Sequence, residues 1–589
     1  MANDPVDEGC YVLGKKQESA REEQDPVTIP VIPIIFIPGI MGSNLRVKPS
    51  DITEVKRRFE EEGRGDEFTD KAWNPPSLLY SKFKTGKSLL QETVGANCHA
   101  VRVAKVWEGY GPKLRQVLLN PKTVEVDDQG FLPRFVPGLG EIDGRPAMAA
   151  ARERGWGTVH WDGYWKLLKF LEHNLNGQPP FDQGNIQTRR WRLETLIGPG
   201  GHYGFNEGVI PTEAEVEKAV GNRFPVHAMG YNWTQSNLHS AEDILDRIKT
   251  CIQGYQAQGY SCEQVILVTH SMGGLVARVA SQLEGQERIL GVVHGVMPAT
   301  GAPVAYRNMV AGSEHEPLLV YEDLRTAFAS IAGKTAAETT AVMANAPGAL
   351  ELLPSHLYPS GWLKVERDMG DGKTELLFAL PDQDRGDPYT DIYKEKDAWW
   401  RMVDPGLLDP AGIAPGKMGR TSEEAAWENY YERINGVCNF HLRYLNSENY
   451  HKYCFPFFGM RKKTTTEVRW KLPTNSAHLN KDDIRRARIY ITDGQGFCEI
   501  QVTKADAKTG KCVNGVIHFG TEQRSVVHIQ GPDGDGDGTV PAESGMAPAV
   551  THPNTQALWG FDHAGAYKHL RTQVFTMMAI CKLAALPNL

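Results

Sequence analysis

A serine stands at the junction of a predicted strand and a predicted helix in the segment VILVTHSMGGLVARV, residues 265–279. The run Val265–Val268 is apolar and β-forming, and the apolar pattern of a helix starts at Met272. The pentapeptide THSMG at 269–273 fits a nucleophile elbow whose first glycine is replaced by threonine. Such an elbow sets a hydroxyl above a helix N-terminus, where backbone N–H groups face a developing oxyanion. We therefore predict Ser271 as a nucleophile and the N–H of the next residue as one oxyanion donor. A plain N-cap serine would leave the two glycines that follow unexplained.

A serine nucleophile needs a histidine base, and the base needs an acid that orients it. When the serine sits on such an elbow, the acid and then the histidine follow it along the chain. The segment IQGPDGDGDGTVPAES (529–544) offers three candidate acids, Asp533, Asp535 and Asp537. The same spacing of aspartates opens a calcium loop, although Ser544 stands where that loop has a glutamate. We predict a site without a cofactor and keep a calcium ion at the aspartates as the alternative.

The histidine base is expected in the loop after the last core strand. The segment ALWGFDHAGAYKH (557–569) offers His563 first, while His569 falls inside the pattern of the final helix and His552 precedes the strand. We predict His563 as the base, because its distance along the chain from Asp537 leaves room for one helix or loop and one strand.

A second oxyanion donor is expected from the loop after the first core strand. That loop lies in FIPGIMGSNL (36–45), where Pro38-Gly39 turns the chain and Ile40 follows with a free N–H. We predict Ile40 as this donor, with Met41 as the alternative. The small pair Gly42-Ser43 indicates a close approach of the backbone.

Strands and helices alternate around the serine, which predicts an α/β fold with a mostly parallel sheet flanked by helices. The predicted elements are the strands Ile34–Ile37, 224–233, Val265–Val268 and Ile289–Val296, a helix with apolar positions from 241 to 252, and a helix over Met272–Leu283. Regular patterns resume only at the predicted strands 524–530 and 555–559 and at a final helix over 564–585.

These patterns predict one α/β core that is interrupted by a large cap or lid. The predicted division is a disordered N-terminal arm (1–28), a first part of the core (29–300) with surface insertions at about 50–155 and 176–222, a cap insertion (301–524) and the last part of the core (525–589).

Composition limits the class of protein further. The 589 residues carry a net charge of −8, which argues against a general nucleic-acid binder. The nine cysteines are scattered without a Cys-x-x-Cys motif, so we expect synthesis in a reducing cytosol. The N-terminus lacks the apolar stretch of a secretory signal, so we expect no signal peptide. Prolines interrupt the longest apolar run, Val27–Met41, so we expect no membrane helix there.

The assembled motifs resemble those of α/β-hydrolases of the lecithin:cholesterol acyltransferase and GPI inositol-deacylase type. The segment IPGIMGSNL is similar to their oxyanion loop, THSMGG to their elbow and GDGTVP (536–541) to their acid motif, which selects Asp537. GYNW (230–233) resembles their Tyr-Asp-Trp element with Asn232 in place of aspartate, and APGALELLPS (346–355) resembles a stretch of their cap.

Within that group the chain is most similar to the lipase effectors of type VI secretion. The resemblance implies an esterase or phospholipase that acts through an acyl-serine intermediate. It also implies export from the cytosol into a target periplasm, and an immunity protein as partner. A serine acyltransferase and a non-catalytic binding protein of the same fold are the alternatives.

A lipase must also meet a membrane, and YCFPFFGMRKK (453–463) is the predicted contact. We expect Phe455, Phe457 and Phe458 in a bent loop, with the rings in the bilayer interface and the three cations of 461–463 on phosphates. The alternative is that the rings pack inside the cap.

Overall fold

The structure is a computed structural model that describes residues 30–74, 107, 109–136, 138–176, 183–197, 203–313, 333–414, 420–504, 510–513, 516–519, 521–532 and 534–586. The predicted N-terminal arm (1–28) and the candidate Asp533 lie outside the described residues.

Six parallel strands form the central sheet. They are β1 (Ile34–Ile37), β2 (Val226–Ala228), β3 (Val265–His270), β4 (Ile289–Gly295), β5 (Cys454–Gly459) and β6 (Gln556–Leu558), in the order β6-β5-β4-β3-β1-β2. All residues of β1, β3, β4 and β5 are buried, as the continuous apolar runs of a sheet covered on both faces predict.

Helices cover both faces of this sheet. On one face Ile34 and Phe36 pack in a core with α1 (Trp161–Asn176) and α4 (Leu570–Ala584). On the other face Ile35 and Ile37 pack in a second core with the helices α2 (Asn237–Ala257) and α3 (Gly273–Ala280). Alternate residues of β1 thus contact two helical layers. These contacts fix the position of the carboxyl end of the strand, where the site lies.

The other α-helices lie around this core and within the cap. They are Ile52–Glu61, Pro112–Leu118, Ala147–Glu153, Gln183–Ile197, Glu213–Val220, Val304–Ala311, Ala336–Met343, Pro347–Leu350, Ser422–Tyr444, Lys481–Arg485 and Ala542–Met546. None of the helices in the described residues is long and apolar enough to cross a membrane.

A second six-stranded sheet builds the cap around its own core. Its strands, in spatial order, are Lys373–Leu380, Leu363–Gly370, Val468–Leu472, Thr521–Ile529, Phe497–Lys504 and Arg488–Thr492. This sheet is mixed, because Leu363–Gly370 and Val468–Leu472 pair in parallel and the other pairs are antiparallel.

The predicted border between cap (301–524) and last core part (525–589) is wrong. The chain returns to the central sheet already at β5, between β4 and β6. The predicted core strand 524–530 belongs instead to the cap sheet, within Thr521–Ile529. The cap therefore consists of two excursions, one before β5 and one between β5 and β6.

The predicted placement of three phenylalanines in a membrane loop is wrong for the same reason. Phe455, Phe457 and Phe458 are residues of β5 and are 7%, 1% and 6% exposed. Phe455 and Phe457 pack in the central core rather than inside the cap, since the Phe457 ring lies 5.6 Å from Tyr567 and 5.3 Å from Phe575. The cations of 461–463 remain exposed.

The predicted surface insertions are also packed more deeply than expected. Val55, Phe59 and Leu114, from the segment 50–155, belong to the core that contains α2 and α3. Val216 and Val220, from the segment 176–222, belong to the core that contains α4. Charged residues between these positions hide the apolar pattern, so the sequence predicts a surface position for both segments.

Candidate active site

The nucleophile elbow lies where β3 passes into α3. Ser271 has a φ of +52°, a left-handed conformation that non-glycine residues adopt only under constraint. Its N–H donates to the Gly295 carbonyl at 2.9 Å, and its own carbonyl accepts the Gly274 N–H at 2.8 Å. The turn leaves no room beside it, because a Cβ on Gly273 would lie 2.5 Å from the carbonyl oxygens of Ile37 and Pro38. Gly273 is therefore required by the packing of the elbow against the end of β1, and a Cβ on Gly274 would lie 2.6 Å from the Met297 side chain.

The structure brings the predicted nucleophile, base and acid together. His563 Nε2 lies 2.8 Å from Ser271 Oγ, and His563 Nδ1 lies 2.7 Å from Asp537 Oδ2. All three are nearly buried, with exposed fractions of 4% for Ser271, 7% for His563 and none for Asp537. This geometry lets the histidine accept the serine proton on one nitrogen while the other nitrogen donates to the carboxylate.

Both oxygens of Asp537 are occupied in this arrangement. Oδ1 accepts the N–H groups of Thr539 at 3.0 Å and Val540 at 2.7 Å, while Oδ2 faces the histidine. The backbone joins the same two residues, because the His563 N–H donates to the Asp537 carbonyl at 2.9 Å. A buried carboxylate with three donors is held in one rotamer.

The neighbouring aspartate has a different role. Asp535 is exposed, and its Oδ1 accepts the N–H of Arg461 and of Gly536. Among the described residues no group of three histidine, cysteine or acidic side chains is placed to hold a metal ion. The prediction of a site without a cofactor, and its alternative of a calcium ion at this loop, both stay predictions.

The first loop of the core presents the other predicted oxyanion donors. Residues 39–42 form a tight turn, in which the Gly42 N–H donates to the Gly39 carbonyl at 3.0 Å. The Gly39 N–H is also used, because it donates to the Tyr164 hydroxyl at 3.2 Å. Within the part of the chain that the structure describes, the N–H groups of Ile40 and Met41 have no acceptor, nor does that of Met272 at the elbow. The predicted donor Ile40 and its alternative Met41, which has a φ of +60°, both stay candidates.

A chain of buried hydrogen bonds links this loop to the histidine base. Tyr164, from α1, lies with its hydroxyl 3.2 Å from His270 Nδ1, and His270 Nε2 lies 2.9 Å from the His563 carbonyl. A carbonyl only accepts, so Nε2 of His270 carries the proton and Nδ1 accepts from the Tyr164 hydroxyl. Each proton in this series of hydrogen bonds, from the Gly39 N–H to the His563 carbonyl, therefore has one allowed position.

Burial keeps the side chains of Tyr164 and His270 uncharged. Burial lowers the pKa of His270 to about 3, and the nearby His563 lowers it further. Burial also raises the pKa of Tyr164 well above its usual range. Neither group titrates near neutral pH, so both hold the backbone of the loop and of His563 in place rather than exchange protons.

We expect Tyr164→Phe to lower kcat about ten- to a hundredfold while KM changes little, because small misplacements of reacting groups have such effects. The variant keeps the ring, which lies 4.7 Å from Phe36, and removes only the hydroxyl between Gly39 and His270. Steady-state kinetics on a soluble ester measure the two constants.

Tyr306→Phe is the matched control, since its buried hydroxyl donates to the Trp400 carbonyl at 2.6 Å in the cap. We expect a similar loss of stability and unchanged kinetics. Equal activity in the two variants would show that the Tyr164 hydroxyl has a structural role only.

Buried neutral histidines make the fold sensitive to acid. Burial lowers the pKa of His227 and of His270 to about 3, that of His441 to about 4 and that of His294 well below 6.5. Unfolded histidines bind protons near pH 6.5, so below that pH the unfolded state takes up protons that the folded state does not. Each histidine then lowers the free energy of unfolding by about 1.4 kcal/mol per pH unit. Glu351 opposes this trend. Burial raises its pKa to about 7, so the folded state binds this proton more readily than the unfolded state, and the free energy of unfolding gains from it as the pH falls from 7 to 4.5.

We therefore expect the urea midpoint of unfolding to fall steeply from pH 6.5 to pH 5, since four histidines outweigh one glutamate. Urea titrations at several pH values measure it. A midpoint that is constant or rises over this range would contradict the assignment of neutral buried histidines.

Tyr164 and His270 are parts of the site that the sequence did not predict. His270 lies inside the elbow motif, directly before the nucleophile, which is the one signal that pointed to it. Tyr164 carries no such signal, because it occurs in the apolar pattern of α1 and the site is more than 100 residues further along the chain.

Comparisons with known proteins agree with this architecture. Residues 217–346, which contain β2, β3, β4 and the elbow, match the family model described as PGAP1-like alpha/beta domain. The crystal structure of the Tle4–Tli4 complex contains a chain with 29% sequence identity and a TM-score of 0.66, and the alignment covers 95% of this chain and 99% of that one. A search of curated proteins found no match. The predicted fold class is confirmed: the chain has an α/β-hydrolase fold with a PGAP1-like alpha/beta domain, and it is similar over nearly its whole length to Tle4.

Proposed function

We propose that this protein is a serine lipase, and specifically a phospholipase that hydrolyses acyl esters of membrane lipids. The observation that carries the proposal is the pair of short contacts from His563 to Ser271 and to Asp537. The PGAP1-like domain and the similarity to Tle4 support a lipase or phospholipase.

The reaction follows from the positions of the groups. Ser271 Oγ attacks the ester carbonyl carbon while its proton passes to His563 Nε2, and the carbonyl oxygen becomes an oxyanion. The donors that we propose for that charge are the N–H groups of Met272 and Ile40, which have no acceptor among the described residues. When the tetrahedral intermediate collapses, the carbon–oxygen bond to the alcohol breaks and His563 gives its proton to the leaving oxygen. An acyl-serine remains.

Water completes the cycle by the same steps. His563 takes a proton from a water molecule that attacks the acyl-serine, and then returns that proton to Ser271 Oγ as the fatty acid leaves. The buried carboxylate of Asp537 stabilises the positively charged histidine in both halves of the reaction.

Two experiments test this proposal. A fluorophosphonate probe should label Ser271, and mass spectrometry of the labelled peptide identifies the residue. Product analysis with phospholipid vesicles, with and without an added alcohol, should give free fatty acid in both cases. An acyl ester of the alcohol as main product would indicate the acyltransferase instead.

We further propose that the protein is made in the cytosol and acts in the periplasm of a target cell. The motifs shared with type VI lipase effectors support this, and so does the similarity to Tle4, which was solved in a complex with Tli4. An immunity protein that blocks the site is the partner we expect. Expression directed to the periplasm should be toxic only with Ser271 intact, while cytosolic expression should be harmless.

A further inference from the structure

Two arginines stack on one tryptophan beside the candidate site. The Arg461 guanidinium carbon lies 4.1 Å from the centre of the Trp559 ring, and that of Arg571 lies 4.5 Å from it. Arg461 follows β5 with a φ of +70°, a conformation that a non-glycine residue adopts only when its surroundings hold it there. We call Arg461, Lys462, Lys463, Trp559, Leu570 and Arg571 the cationic patch.

Neither guanidinium group has an anionic partner among the described residues, where no ion pair is formed by Arg461 or Arg571. The nearest acid on the same strand pair is Asp535, whose carboxylate takes the backbone N–H of Arg461. Asp562, in the adjoining loop, instead accepts the Gly565 N–H. Two like charges on one ring repel each other, and an external anion beside them would relieve that repulsion.

The rest of the patch suits the surface of a bilayer. Lys462 and Lys463 are exposed on a short strand that pairs with Gly534–Gly536. Leu570 is 49% exposed beside Arg571. Tryptophan, exposed leucine and cations together are the composition of surfaces that bind a lipid interface, where apolar groups enter and cations meet phosphates.

The patch lies at the same edge of the sheet as the nucleophile. Arg461 lies two residues after the carboxyl end of β5, Trp559 directly follows that of β6, and Ser271 follows that of the parallel strand β3. A Cβ on Gly459, two residues before Arg461, would lie 2.5 Å from Asp537 Cβ. A lipid surface bound at the patch is therefore next to the catalytic edge.

We propose that the cationic patch docks on anionic phospholipid headgroups and turns the catalytic edge towards the membrane. This inference rests on the proposed phospholipase function and names the surface on which it acts. The chain has a net charge of −8, so an anionic bilayer repels most of its surface and attracts this patch, which selects one orientation.

Sedimentation with vesicles tests the docking surface. The Ser271→Ala variant of the full chain is the reference, because it leaves the lipid intact. We expect it to bind vesicles of phosphatidylcholine with phosphatidylglycerol, and to bind pure phosphatidylcholine weakly. Arg461→Gln with Arg571→Gln in that background should lower partitioning about tenfold or more. Lys462→Gln with Lys463→Gln is the second variant, since those side chains are exposed and make no buried contact.

Lys249→Gln with Lys373→Gln is the matched control, because both lysines are exposed and lie elsewhere on the core and the cap. It changes the net charge equally and should bind like the reference. The proposal is overturned if the reference protein shows no preference for anionic vesicles. Patch variants that bind like the control also overturn it.

Turnover of a soluble short-chain ester separates this inference from the proposed function. We expect the patch variants with Ser271 intact to keep wild-type rates on that ester and to lose activity on anionic vesicles. Vesicle binding without any ester hydrolysis by the wild type would refute the proposed function alone.

Discussion

Replacing Ser271 by alanine should abolish ester hydrolysis and leave the protein folded. The change removes one oxygen, which lies 2.8 Å from His563 Nε2, and keeps the Cβ that packs against Gly39. Without the hydroxyl no acyl-serine can form, and loss of a triad member typically leaves about 10³–10⁴-fold acceleration over water. Hydrolysis of a soluble ester and labelling by a fluorophosphonate both measure the effect.

Ser281→Ala is the matched control for that experiment. Its hydroxyl is also nearly buried, at 7% exposure, and donates to the Ala277 carbonyl at 2.8 Å just beyond the end of α3. We expect wild-type activity and labelling from this variant. Near-wild-type turnover in Ser271→Ala would place the nucleophile elsewhere and would also remove the basis of the proposed mechanism.

The elements nearest the serine were predictable because their signals are local. The strand β3 begins as an apolar run, and the glycines at 273 and 274 follow it closely in the sequence, where α3 begins. The order of serine, acid and histidine along the chain then limited the search for partners. Spacing alone left three aspartates open, because the hydrogen bonds that distinguish Asp537 come from the folded loop.

The strand β5 was missed because its sequence resembles a loop. Pro456 lacks an N–H and is normally excluded from central strands. Here the carbonyls of Tyr453 and Phe457 accept N–H groups of β4, so the backbone of Pro456 faces the opposite side. On that side β6 begins only opposite Phe457, and so no ladder bond is lost at the proline. Only the pairing of distant segments reveals this, which a single sequence does not contain.

The network around Tyr164 was beyond prediction for a related reason. Its hydroxyl joins a turn at residue 39 to a histidine at 270, and the three segments are brought together by the packing of α1 on the sheet. The apolar pattern of α1 predicts that Tyr164 is buried but does not predict the partner of its hydroxyl. The fold thus supplies the contacts that hold the base, while the sequence motif supplies the reacting groups.

Asp537→Asn should lower turnover about 10⁴-fold, and the hydrogen bonds of this site explain why. Oδ1 accepts two backbone N–H groups, from Thr539 and Val540, and Oδ2 accepts from His563 Nδ1. An asparagine has one oxygen and one NH₂ group for these positions. If its oxygen faced His563, its NH₂ group would meet two donors. The favoured orientation therefore turns the NH₂ group towards His563 Nδ1.

That orientation selects the wrong tautomer of the base. Nδ1 of His563 must then accept, so the proton moves to Nε2, which faces Ser271 Oγ and can no longer take its proton. Asp535→Asn is the matched control, because the exposed Asp535 carboxylate accepts only backbone N–H groups near the loop surface. We expect a change of no more than about threefold there, since surface substitutions have small effects. Steady-state rates on a soluble ester at neutral pH, with and without added calcium, compare the two variants. Equal losses that calcium restores would favour a metal loop over the acid of a triad.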